Sequence, residues 1–510
     1  MSHLLIRADA STRMGSGHIM RCLALAHAWR AQGGQVTFLS CCDSPALHDR
    51  VIRDGYGFVA LDTPHPDPLD VQMTLSVLRE LAVASHGAPV WVALDGYHFD
   101  SGYQLAIRTA GFRSLIIDDM AHHPRYHADV LLNQNIDAAQ RVYACDADTT
   151  LLLGTRYALL RPEFQEWRDW QRHIPLVARK ALITMGGADP DNVTLKVIEA
   201  LRLLDLPELQ ARIVVGPANP HSDTLRPKID ASSDRVQLLK AVSDMPELMS
   251  WADVAISAGG STCWELACMG LPSIVLTLAD NQEAVARALG ESEIAINVGD
   301  ASHLEPRESG AALSKLMHDG ALRSRMSQLG RALVDGKGAS RVVEALFLGW
   351  GQEGQETLRL RPAQQDDVLL IWQWANDPPT RANSFRPEAI AWSDHMDWYR
   401  AKLVSDDTRM WILERHQMPV AQIRYDRIDP DTAEISFVVS PGYRGRGLGT
   451  QLLQLSSPLA CRELAIRRLQ GVAFMRNVAS ARSFTKAGFT QVTERVIAGI
   501  DCRIFSKDCT

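Results

Sequence analysis

Short apolar runs alternate with longer amphipathic stretches from the start of the chain. An apolar run at Leu4–Ala8 leads into a helical pattern near Ile19–Gln32, and a second apolar run follows at Gln35–Ser40. Similar runs, each bounded by Gly, Pro, Asp or Asn, recur at Val90–Leu94, Ser114–Ile117, Val130–Leu132 and Leu151–Leu153. Short apolar strands that alternate with helices predict a parallel sheet covered on both faces.

The same alternation begins again near residue 181. Ala181–Met185 is predicted as a strand, Gly186-Gly187 as a turn, and Asn192 as the N-cap of a helix that runs to Leu204. Four further strands are predicted at Arg212–Val215, Val236–Leu239, Asp253–Ser257 and Ser273–Leu276. Two successive doubly wound units predict two α/β lobes, at 1–165 and 175–345, that face each other across a ligand cleft.

A different pattern follows Gly349–Glu356, a polar and glycine-rich stretch with the composition of a linker. Its predicted elements are three strands in meander order and one helix: Met410–Glu414, Val420–Tyr425, Ala433–Val439 and Leu448–Leu464. This order predicts a mixed α+β domain over residues 357–510.

The composition, with 46% hydrophobic and 22% charged residues, is typical of a globular protein. The net charge of -7 argues against nucleic acid as the main partner, whereas local sites can still bind small anions. No apolar stretch reaches the ~20 residues of a membrane span, and Met1–Asp9 lacks the apolar region of a signal peptide. Nine irregularly spaced cysteines indicate free thiols, which predicts a cytoplasmic location.

The first candidate site is the glycine-rich turn that contains Gly15, Gly17 and His18, between the first strand and its helix. Glycine allows a tight turn and a close approach to a ligand. The helix dipole disfavours an imidazolium at this position, and a neutral imidazole can accept a proton from water. The alternative interpretation is a helix-capping loop that happens to contain a polar histidine.

This stretch resembles the start of the UDP-sugar hydrolases of pseudaminic acid biosynthesis, the PseG family. Further similar segments follow in order at Asp95-Gly96-Tyr97, Ile117-Asp118-Asp119, Asn133-Gln134-Asn135 and 153–162, and the resemblance extends to about residue 345. It implies a glycosyltransferase-B-like fold and metal-independent removal of UDP from a diacetamido-trideoxy-L-altrose. It also implies that His18 activates water, with Asp9 and Tyr97 as further active-site residues.

The second candidate site follows the predicted strand Asp253–Ser257, where a helix N-terminus offers N–H groups to phosphate. Glu265, one turn into that helix, could accept hydrogen bonds from ribose hydroxyls; the alternative is a surface glutamate. The region resembles the nucleotide lobe of UDP-sugar glycosyltransferases. By that resemblance Glu265 binds ribose, and Asn281 and Gln282 contact the diphosphate or the sugar. The diphosphate itself is expected at Gly259, Gly260, Ser261 and Thr262.

A histidine-rich segment could be a metal-binding site. Asp118-Asp119 is followed by His122-His123 and His127, and such side chains do bind divalent cations. Because the group follows a strand end and includes Pro124, a polar loop is the simpler interpretation. We therefore predict that no metal is bound.

The third candidate site is the segment Arg444-Gly445-Arg446-Gly447-Leu448-Gly449, between a strand and a helix. Several N–H groups and two arginines at a helix start suit a pyrophosphate, whereas a plain glycine-rich turn is the alternative. With Val438-Val439 before it and Asn477 to Phe489 after it, this order resembles the GNAT acetyltransferases, and within them the PseH family of the same pathway. The resemblance implies binding of acetyl-CoA.

Acetyl transfer needs a neutral amine and a polarised thioester carbonyl. A strand N–H near Val438 would polarise the carbonyl, and Glu434 could take the ammonium proton through water. The alternative for Glu434 is a cross-strand ion pair. Many GNAT enzymes have Tyr where this chain has Phe484, so either another group protonates the thiolate or this domain is impaired.

These features predict a bifunctional enzyme of pseudaminic acid biosynthesis that acetylates the 4-amino group of a UDP-amino sugar and then removes UDP. The released sugar would feed a nonulosonic acid synthase. One alternative is a two-lobed glycosyltransferase with an appended acetyltransferase, which would release no UDP without an acceptor. Another is a non-catalytic nucleotide-sugar sensor. The sequence leaves open whether the sugar is gluco- or altro-configured.

Overall fold

The structure is a computed structural model that describes residues 1–510 except 12–14, 16, 147, 188, 204–207, 217–218, 231–234, 241, 243, 349–357, 416–417 and 510. The chain divides into two units, Met1–Leu346 and Phe347–Thr510. The predicted linker Gly349–Glu356 lies outside the described residues. Among the described helices, none is long and apolar enough to cross a lipid bilayer.

Seven parallel strands form the sheet of the first lobe, in the order β3-β2-β1-β4-β5-β6-β7. They are β1 (His3–Ala8), β2 (Gln35–Ser40), β3 (Gly57–Ala60), β4 (Val90–Asp95), β5 (Arg113–Ile117), β6 (Val130–Asn133) and β7 (Thr150–Leu153). The helices are α1 (Gly17–Ala31), α2 (Pro45–Arg53), α3 (Asp70–Ala84) and α4 (Ser101–Thr109). The strand order reverses between β1 and β4, and such a reversal places a ligand crevice at the carboxyl ends of the two strands.

Burial explains which strands of this lobe could be predicted. All six residues of β1 and of β4 are buried, as expected for central strands covered by helices on both faces. Edge strand β3 is half-exposed and only four residues long, and the sequence analysis missed it although the strand is apolar.

A second lobe repeats this architecture, with six parallel strands in the order β10-β9-β8-β11-β12-β13. They are β8 (Lys180–Thr184), β9 (Gln210–Val215), β10 (Val236–Lys240), β11 (Val254–Ala258), β12 (Ser273–Thr277) and β13 (Ala295–Asp300). The helices are α5 (Val193–Leu203), α6 (Ser222–Asp230), α7 (Met245–Trp251), α8 (Thr262–Cys268), α9 (Asp280–Glu291), α10 (Pro306–His318), α11 (Gly320–Leu333) and α12 (Gly338–Leu348). Here the order reverses between β8 and β11, so α8 begins at the second crevice.

The predicted N-cap of α5 was wrong. Asn192 has a φ of +53°, which is not the extended conformation of an N-cap residue. The carboxylate of Asp189 instead accepts hydrogen bonds from the N–H groups of Val193, at 2.7 Å, and Thr194, at 3.0 Å. An acidic side chain suits this position because it also complements the helix dipole.

The second unit contains a mixed sheet in the order β14-β15-β16-β17-β18-β20-β19. The strands are β14 (Leu358–Pro362), β15 (Thr408–Arg415), β16 (Met418–Asp429), β17 (Thr432–Val439), β18 (Arg468–Phe474), β19 (Thr490–Ile497) and β20 (Ile500–Asp508). The helices are α13 (Val368–Asn376), α14 (Pro378–Ala382), α15 (Trp392–Leu403), α16 (Leu448–Leu464) and α17 (Val478–Lys486). β17 and β18 pair in parallel, while the other neighbouring strands are antiparallel.

The predicted fold class is confirmed: two doubly wound α/β lobes precede a mixed α+β unit. The prediction of free thiols was wrong for one pair, because Cys461 of α16 and Cys509 form a disulfide bond. Seven described cysteines are free, among them Cys22 and Cys263. The cysteines therefore no longer support the predicted cytoplasmic location.

Candidate functional site

The turn between β1 and α1 brings His18 to the first crevice. Gly15 has a φ of +81°, which favours glycine, and its N–H donates to the carbonyl of Ser11 at 2.7 Å. Helix α1 begins at Gly17, so His18 lies in its first turn. The β1 and β4 strands are neighbours, with Ala8 in register with Asp95, and this register places Asp95 beside the turn.

Asp95 holds the imidazole of His18. The Nδ1 atom of His18 lies 2.6 Å from Oδ1 of Asp95. Asp95 is fully buried and also accepts hydrogen bonds from Arg21, at 2.6 and 2.7 Å, and from the thiol of Cys22, at 3.3 Å. Although burial alone would raise it, the charge of Arg21 and the contact with His18 hold the pKa of Asp95 well below its usual range.

The ionised Asp95 carboxylate determines which nitrogen of His18 carries the proton. A carboxylate only accepts hydrogen bonds, so Nδ1 is the protonated nitrogen when the imidazole is neutral. The Nε2 atom then keeps its lone pair, and His18 lines the cavity described next. This arrangement fits a general base whose position and tautomer are fixed by a buried carboxylate.

A cavity of about 310 Å³ lies between the two lobes of the first unit. The first lobe contributes His18, Arg21, Tyr97, Asp119 and Arg141, together with Gly17. The second lobe contributes Gly259, Gly260, Ser261, Asn281 and Gln282. The cavity therefore joins the predicted base to the predicted nucleotide segment.

Tyr97 forms part of the cavity wall. Its ring lies edge-on to His18, with 5.4 Å between ring centroids, and its hydroxyl lies 3.4 Å from Oδ2 of Asp119. Burial, followed by the negative charge of Asp119, raises the pKa of Tyr97 well above its usual value. Tyr97 is therefore available at the cavity as a hydrogen-bond donor.

Asp9 has a structural environment instead. It is buried and ion-paired with Arg7, with 2.9 Å between Nη2 and Oδ2, and it accepts the N–H of Cys41 at 2.8 Å. Arg7 also binds Asp70. Asp9 does not belong to the described lining of the cavity, and it anchors the end of β1 to the end of β2. Its predicted active-site role stays a prediction.

The glycines of the nucleotide segment allow helix α9 to approach. A Cβ atom at Gly259 would lie 3.1 Å from Cβ of Gln282, so a larger residue would displace that helix. The Oε1 atom of Gln282 accepts the N–H of Leu278 at 3.0 Å, which fixes the side chain near the cavity. Thr262 begins α8, although it is not among the described residues that line the cavity.

Glu265 has a protein partner. Its carboxylate accepts two parallel hydrogen bonds from Arg161, at 2.7 and 2.8 Å, and both residues are largely buried. Glu265 does not line the described cavity. The alternative of a surface glutamate was wrong, since only 8% of Glu265 is exposed. The predicted ribose contact stays a prediction.

The histidine-rich segment follows β5. One ligand atom each of Asp118, His122 and His123 lies within 4.8 Å of the others. However, Oδ1 of Asp118 accepts the N–H of Met120 at 2.7 Å, and its Oδ2 accepts the hydroxyl of Tyr126. The Nε2 atom of His122 lies 2.8 Å from the carbonyl of Tyr97. These bonds favour the interpretation as a polar loop.

In the second unit, β17 and β18 separate at the predicted acetyl-CoA site. Their pairing ends at Ile435 and Gly471, whereas β17 continues to Val439. The N–H of Ser440 donates to Val420 of β16, and N–H groups alternate between the two sides of a strand. The N–H of Val439, rather than that of Val438, therefore faces the gap between β17 and β18.

The turn before α16 has the conformation that its glycines allow. Gly445 and Gly447 have φ values of +77° and +79°, and the 17-residue helix starts at Leu448. At Gly449 a Cβ atom would lie 3.2 Å from the ring of Phe437, so this glycine allows close packing between helix and sheet. The N–H groups of this first turn suit a pyrophosphate.

Two of the predicted acetyl-CoA residues have structural partners. Arg444 is ion-paired with Asp377, at 2.6 Å, and it donates to the hydroxyl of Thr380 and the carbonyl of Val439. Asn477 caps α17 by accepting the N–H of Ser480 at 3.1 Å. The more exposed Arg446 lies over the ring of Tyr443.

Phe484 was predicted at the acetyl-CoA site but is a core residue. Only 1% of it is exposed, and its ring packs against Phe437, Phe489 and Phe505. A Cβ atom at Gly471 would lie 2.3 Å from this ring, so the glycine makes room for it. We therefore correct the prediction: a buried Phe484 is no evidence for an impaired or non-catalytic domain.

Glu434 lies on the face of β17 opposite to that core. Asp426 of β16 is directly across from it, so the two carboxylates are cross-strand neighbours rather than an ion pair. Partial desolvation and the charge of Asp426 raise the pKa of Glu434. A carboxylate with a raised pKa is a better proton acceptor, as a general base requires.

Comparison with known proteins agrees with this architecture. Residues 181–335 match the glycosyltransferase family 28 C-terminal domain, and residues 357–490 match the acetyltransferase (GNAT) domain. The chain joins a glycosyltransferase family 28 domain to a GNAT domain. The predicted fusion is thus confirmed at the level of these two domains.

Relatives exist both for the first unit and for nearly the whole chain. The spore coat polysaccharide biosynthesis protein SpsG of Bacillus subtilis is 28% identical over 68% of this chain and 97% of its own length. An uncharacterised protein of Methanocaldococcus jannaschii is 22% identical over 95% of this chain and 96% of its own length. The pseudaminic acid cytidylyltransferase and UDP-2,4-diacetamido-2,4,6-trideoxy-beta-L-altropyranose hydrolase of Helicobacter pylori is 25% identical over 38% of this chain and 35% of its own length.

Some functional candidates were missed by the sequence analysis. Asp95 appeared only in a resembling segment, Asp119 in a resembling segment and in the histidine-rich segment, and Arg141 did not appear at all. Asp95 carried a usable signal, because it is an acidic residue at the carboxyl end of a wholly apolar strand. Its partner His18 is 77 positions away, and only the strand order brings the two together.

Proposed function

We propose that this chain is a bifunctional nucleotide-sugar enzyme. Its GNAT unit acetylates the 4-amino group of UDP-4-amino-4,6-dideoxy-N-acetyl-L-altrosamine with acetyl-CoA. Its first unit then hydrolyses UDP-2,4-diacetamido-2,4,6-trideoxy-L-altropyranose to UDP and the free sugar. The general class of this enzyme, a sugar-nucleotide enzyme with an acetyltransferase domain, is supported by the two matched domains.

The observation that carries the hydrolase proposal is the pairing of His18 with buried Asp95 at a cavity whose opposite wall is Gly259–Ser261. A UDP-sugar whose diphosphate meets the N-terminus of α8 would direct its sugar toward the first lobe. The anomeric carbon would then lie near His18. This geometry supports cleavage of the bond between the sugar and UDP.

In the proposed hydrolysis, a water oxygen attacks the anomeric carbon while the bond from that carbon to the UDP oxygen breaks. Nε2 of His18 takes the proton of the water, and Asp95 stabilises the imidazolium that forms. The bonding electrons leave with UDP, whose charge the N–H groups at the start of α8 would stabilise. Because His18 supplies the base, this step needs no metal, and a chelator should leave it unchanged.

In the proposed acetyl transfer, the neutral 4-amino group attacks the thioester carbon of acetyl-CoA. The N–H of Val439 would stabilise the oxygen as it becomes negative, and Glu434 would take the ammonium proton through water. The carbon–sulfur bond breaks, and the thiolate takes a proton from solvent. N–H groups in the first turn of α16 would bind the pyrophosphate of the coenzyme.

The names of two relatives support this proposal. The relative from Helicobacter pylori is named as a hydrolase of the same UDP-sugar, and the one from Bacillus subtilis is named for polysaccharide biosynthesis. The free sugar would be a substrate for a nonulosonic acid synthase. Both acetyl-CoA and UDP-sugars are metabolites of the cell interior, so we place the enzyme in the cytoplasm.

A second candidate is a glycosyltransferase, because residues 181–335 match a glycosyltransferase family domain. His18 would then deprotonate an acceptor hydroxyl instead of water. The two candidates differ in their need for an acceptor. UDP release from the sugar nucleotide in water alone supports the hydrolase, whereas release only after an acceptor is added supports the transferase.

The decisive test of the full proposal uses the whole chain. It is incubated with acetyl-CoA and either the altro- or the gluco-configured UDP-4-amino sugar, and ¹H and ³¹P NMR identify the products. We expect N-acetylation followed by UDP release with the altro sugar. Acetylation without UDP release, or UDP release from neither sugar, would contradict the hydrolase assignment.

A further inference from the structure

Asp119 lines the cavity between the lobes, and one of its carboxylate oxygens has no hydrogen-bond partner among the described residues. It follows β5 and lines the cavity, and its side chain is 13% exposed. Its Oδ2 atom accepts a hydrogen bond from Arg21 at 2.5 Å and lies 3.4 Å from the hydroxyl of Tyr97. Its Oδ1 atom is buried and has no hydrogen-bond partner among the described residues. Burying an acceptor without a donor costs free energy, so such atoms in native proteins commonly bind a ligand or water.

Arg21 holds the Asp119 side chain at the His18 end of the cavity. The guanidinium donates through Nη1 to Asp119 and through Nε and Nη2 to Asp95, which itself holds His18. Asp119 is therefore tied to the proposed base through a single side chain. Because Arg21 is engaged by both carboxylates, it also keeps Asp119 in one orientation.

The partner of this oxygen must be a hydrogen-bond donor. The diphosphate cannot donate and would be repelled by a carboxylate. The predicted ribose partner, Glu265, belongs to the second lobe, whereas Asp119 belongs to the first lobe, near the bond that would break. The sugar is thus the part of the substrate that would face Asp119, and its donors are two amide N–H groups and the C3 hydroxyl.

We infer that Asp119 is a specificity-determining residue that accepts a hydrogen bond from an acetamido N–H of the sugar. This inference rests on the proposed hydrolase function. It explains why the cavity contains a carboxylate that takes no part in activating water. It also predicts that the hydrolase prefers an amide substituent over one of the same shape that lacks the N–H.

The test compares the diacetamido substrate with two analogues in which the acetamido group at C2 or at C4 is replaced by O-acetyl. The wild-type enzyme should have a kcat/KM at least about ten-fold lower for one of these analogues, the size expected for a lost hydrogen bond to a charged group. In Asp119→Asn that preference should be lost or reversed, because Arg21 retains the amide oxygen and the NH₂ group faces the sugar. The KM for the diacetamido substrate should rise while the affinity for UDP, measured by calorimetry, stays unchanged.

Glu283→Gln is the matched control for the loss of one negative charge. Glu283 is on α9, its side chain is 72% exposed, and it lies outside the lining of the cavity. This variant should keep the wild-type preference. If Asp119→Asn does not fold, the wild-type comparison still decides, since an enzyme that treats amide and O-acetyl substrates alike overturns the inference.

The outcomes separate the inference from the function on which it rests. A wild-type enzyme that releases UDP from no substrate refutes the hydrolase proposal, and the inference with it. An enzyme that hydrolyses the substrate but shows no amide preference refutes the inference alone. Equal losses of UDP and substrate affinity in Asp119→Asn would make Asp119 a nucleotide contact and overturn the inference.

Discussion

The Nδ1 atom of His18 lies 2.6 Å from Oδ1 of Asp95, a carboxylate that is completely buried at the end of a neighbouring strand. The same carboxylate binds Arg21, so its charge is compensated within the protein. Asp95 therefore orients His18 without being exposed to the substrate. Because of this contact, the glycine-rich segment presents a histidine whose Nε2 atom is the proton acceptor.

The first prediction concerns Asp95. Asp95→Asn keeps the shape of the side chain but presents either an NH₂ donor or a weaker acceptor to Nδ1, so the tautomer of His18 is no longer fixed. We expect kcat for UDP release to fall by at least about 100-fold. Steady-state kinetics measure this effect, and UDP affinity by calorimetry serves as the control for folding. Unchanged kcat would show that Asp95 does not orient the base.

The second prediction concerns the buried pair of Arg161 and Glu265. Arg161→Met leaves the Glu265 carboxylate without its partner and should lower the free energy of unfolding by about 3 kcal/mol. The double variant with Glu265→Gln should recover part of this loss, because no buried charge is then unpaired. Urea unfolding of the single and double variants measures the coupling. If the loss of unfolding free energy in the double variant equals the sum of the losses in the two single variants, the pair makes no specific contribution to stability.

Glu265 also tests the nucleotide lobe. If its carboxylate binds the ribose hydroxyls, Glu265→Ala should weaken UDP binding by about 1.5–3 kcal/mol, the value of hydrogen bonds to a charged group. Titration calorimetry with UDP measures this loss, with Arg161→Met as the comparison that keeps the carboxylate. Unchanged UDP affinity in Glu265→Ala would limit Glu265 to its structural pairing with Arg161.

The third prediction concerns pH. Burial, followed by the neighbouring His65, lowers the pKa of His98 to about 4 in the folded protein, whereas an unfolded histidine titrates near 6.5. The folded state thus resists protonation, so its stability is fully present above pH 6.5 and falls as the pH decreases toward 4. A shift of this size corresponds to about 3 kcal/mol. Unfolding of His98→Gln should depend less on pH over this window, and parallel profiles would contradict the assignment.

The fourth prediction concerns Phe484. Phe484→Tyr introduces a hydroxyl into the core formed with Phe437, Phe489 and Phe505, where burial of a polar group without a partner costs about 1–3 kcal/mol. We expect a less stable second unit and no gain in acetyl transfer. Thermal unfolding and the rate of CoA release measure both effects. A faster acetyl transfer would place this position at the thioester.

Local signals explain which elements could be predicted from the sequence. The bounds of α16 agree with its predicted range because a left-handed glycine precedes Leu448 and a left-handed residue, Ala465, follows Leu464. Strand β13 was missed because its alternating, partly exposed residues lack an apolar run. The cap of α5 was misassigned because Asp189 reaches it from three residues before Asn192.

Contacts distant in sequence explain what could not be predicted in the sites. The partner of Glu265 is 104 positions away, and Arg444 binds Asp377 across 67 positions. From residue types alone, the Glu265 carboxylate and the Arg444 guanidinium were expected to be free for a ligand. Only the three-dimensional structure shows that protein partners bind them, and the same is true of the Cys461–Cys509 disulfide.

The most direct test of the account is the rate of UDP release by His18→Ala, measured on the diacetamido UDP-sugar in the full-length chain. Loss of the general base should lower this rate by about 100- to 10,000-fold. Acetyl transfer by the same variant should be unchanged, since all residues of the proposed acetyl-CoA site belong to the second unit. Hydrolysis by His18→Ala at close to the wild-type rate would contradict the central claim that His18 activates the attacking water.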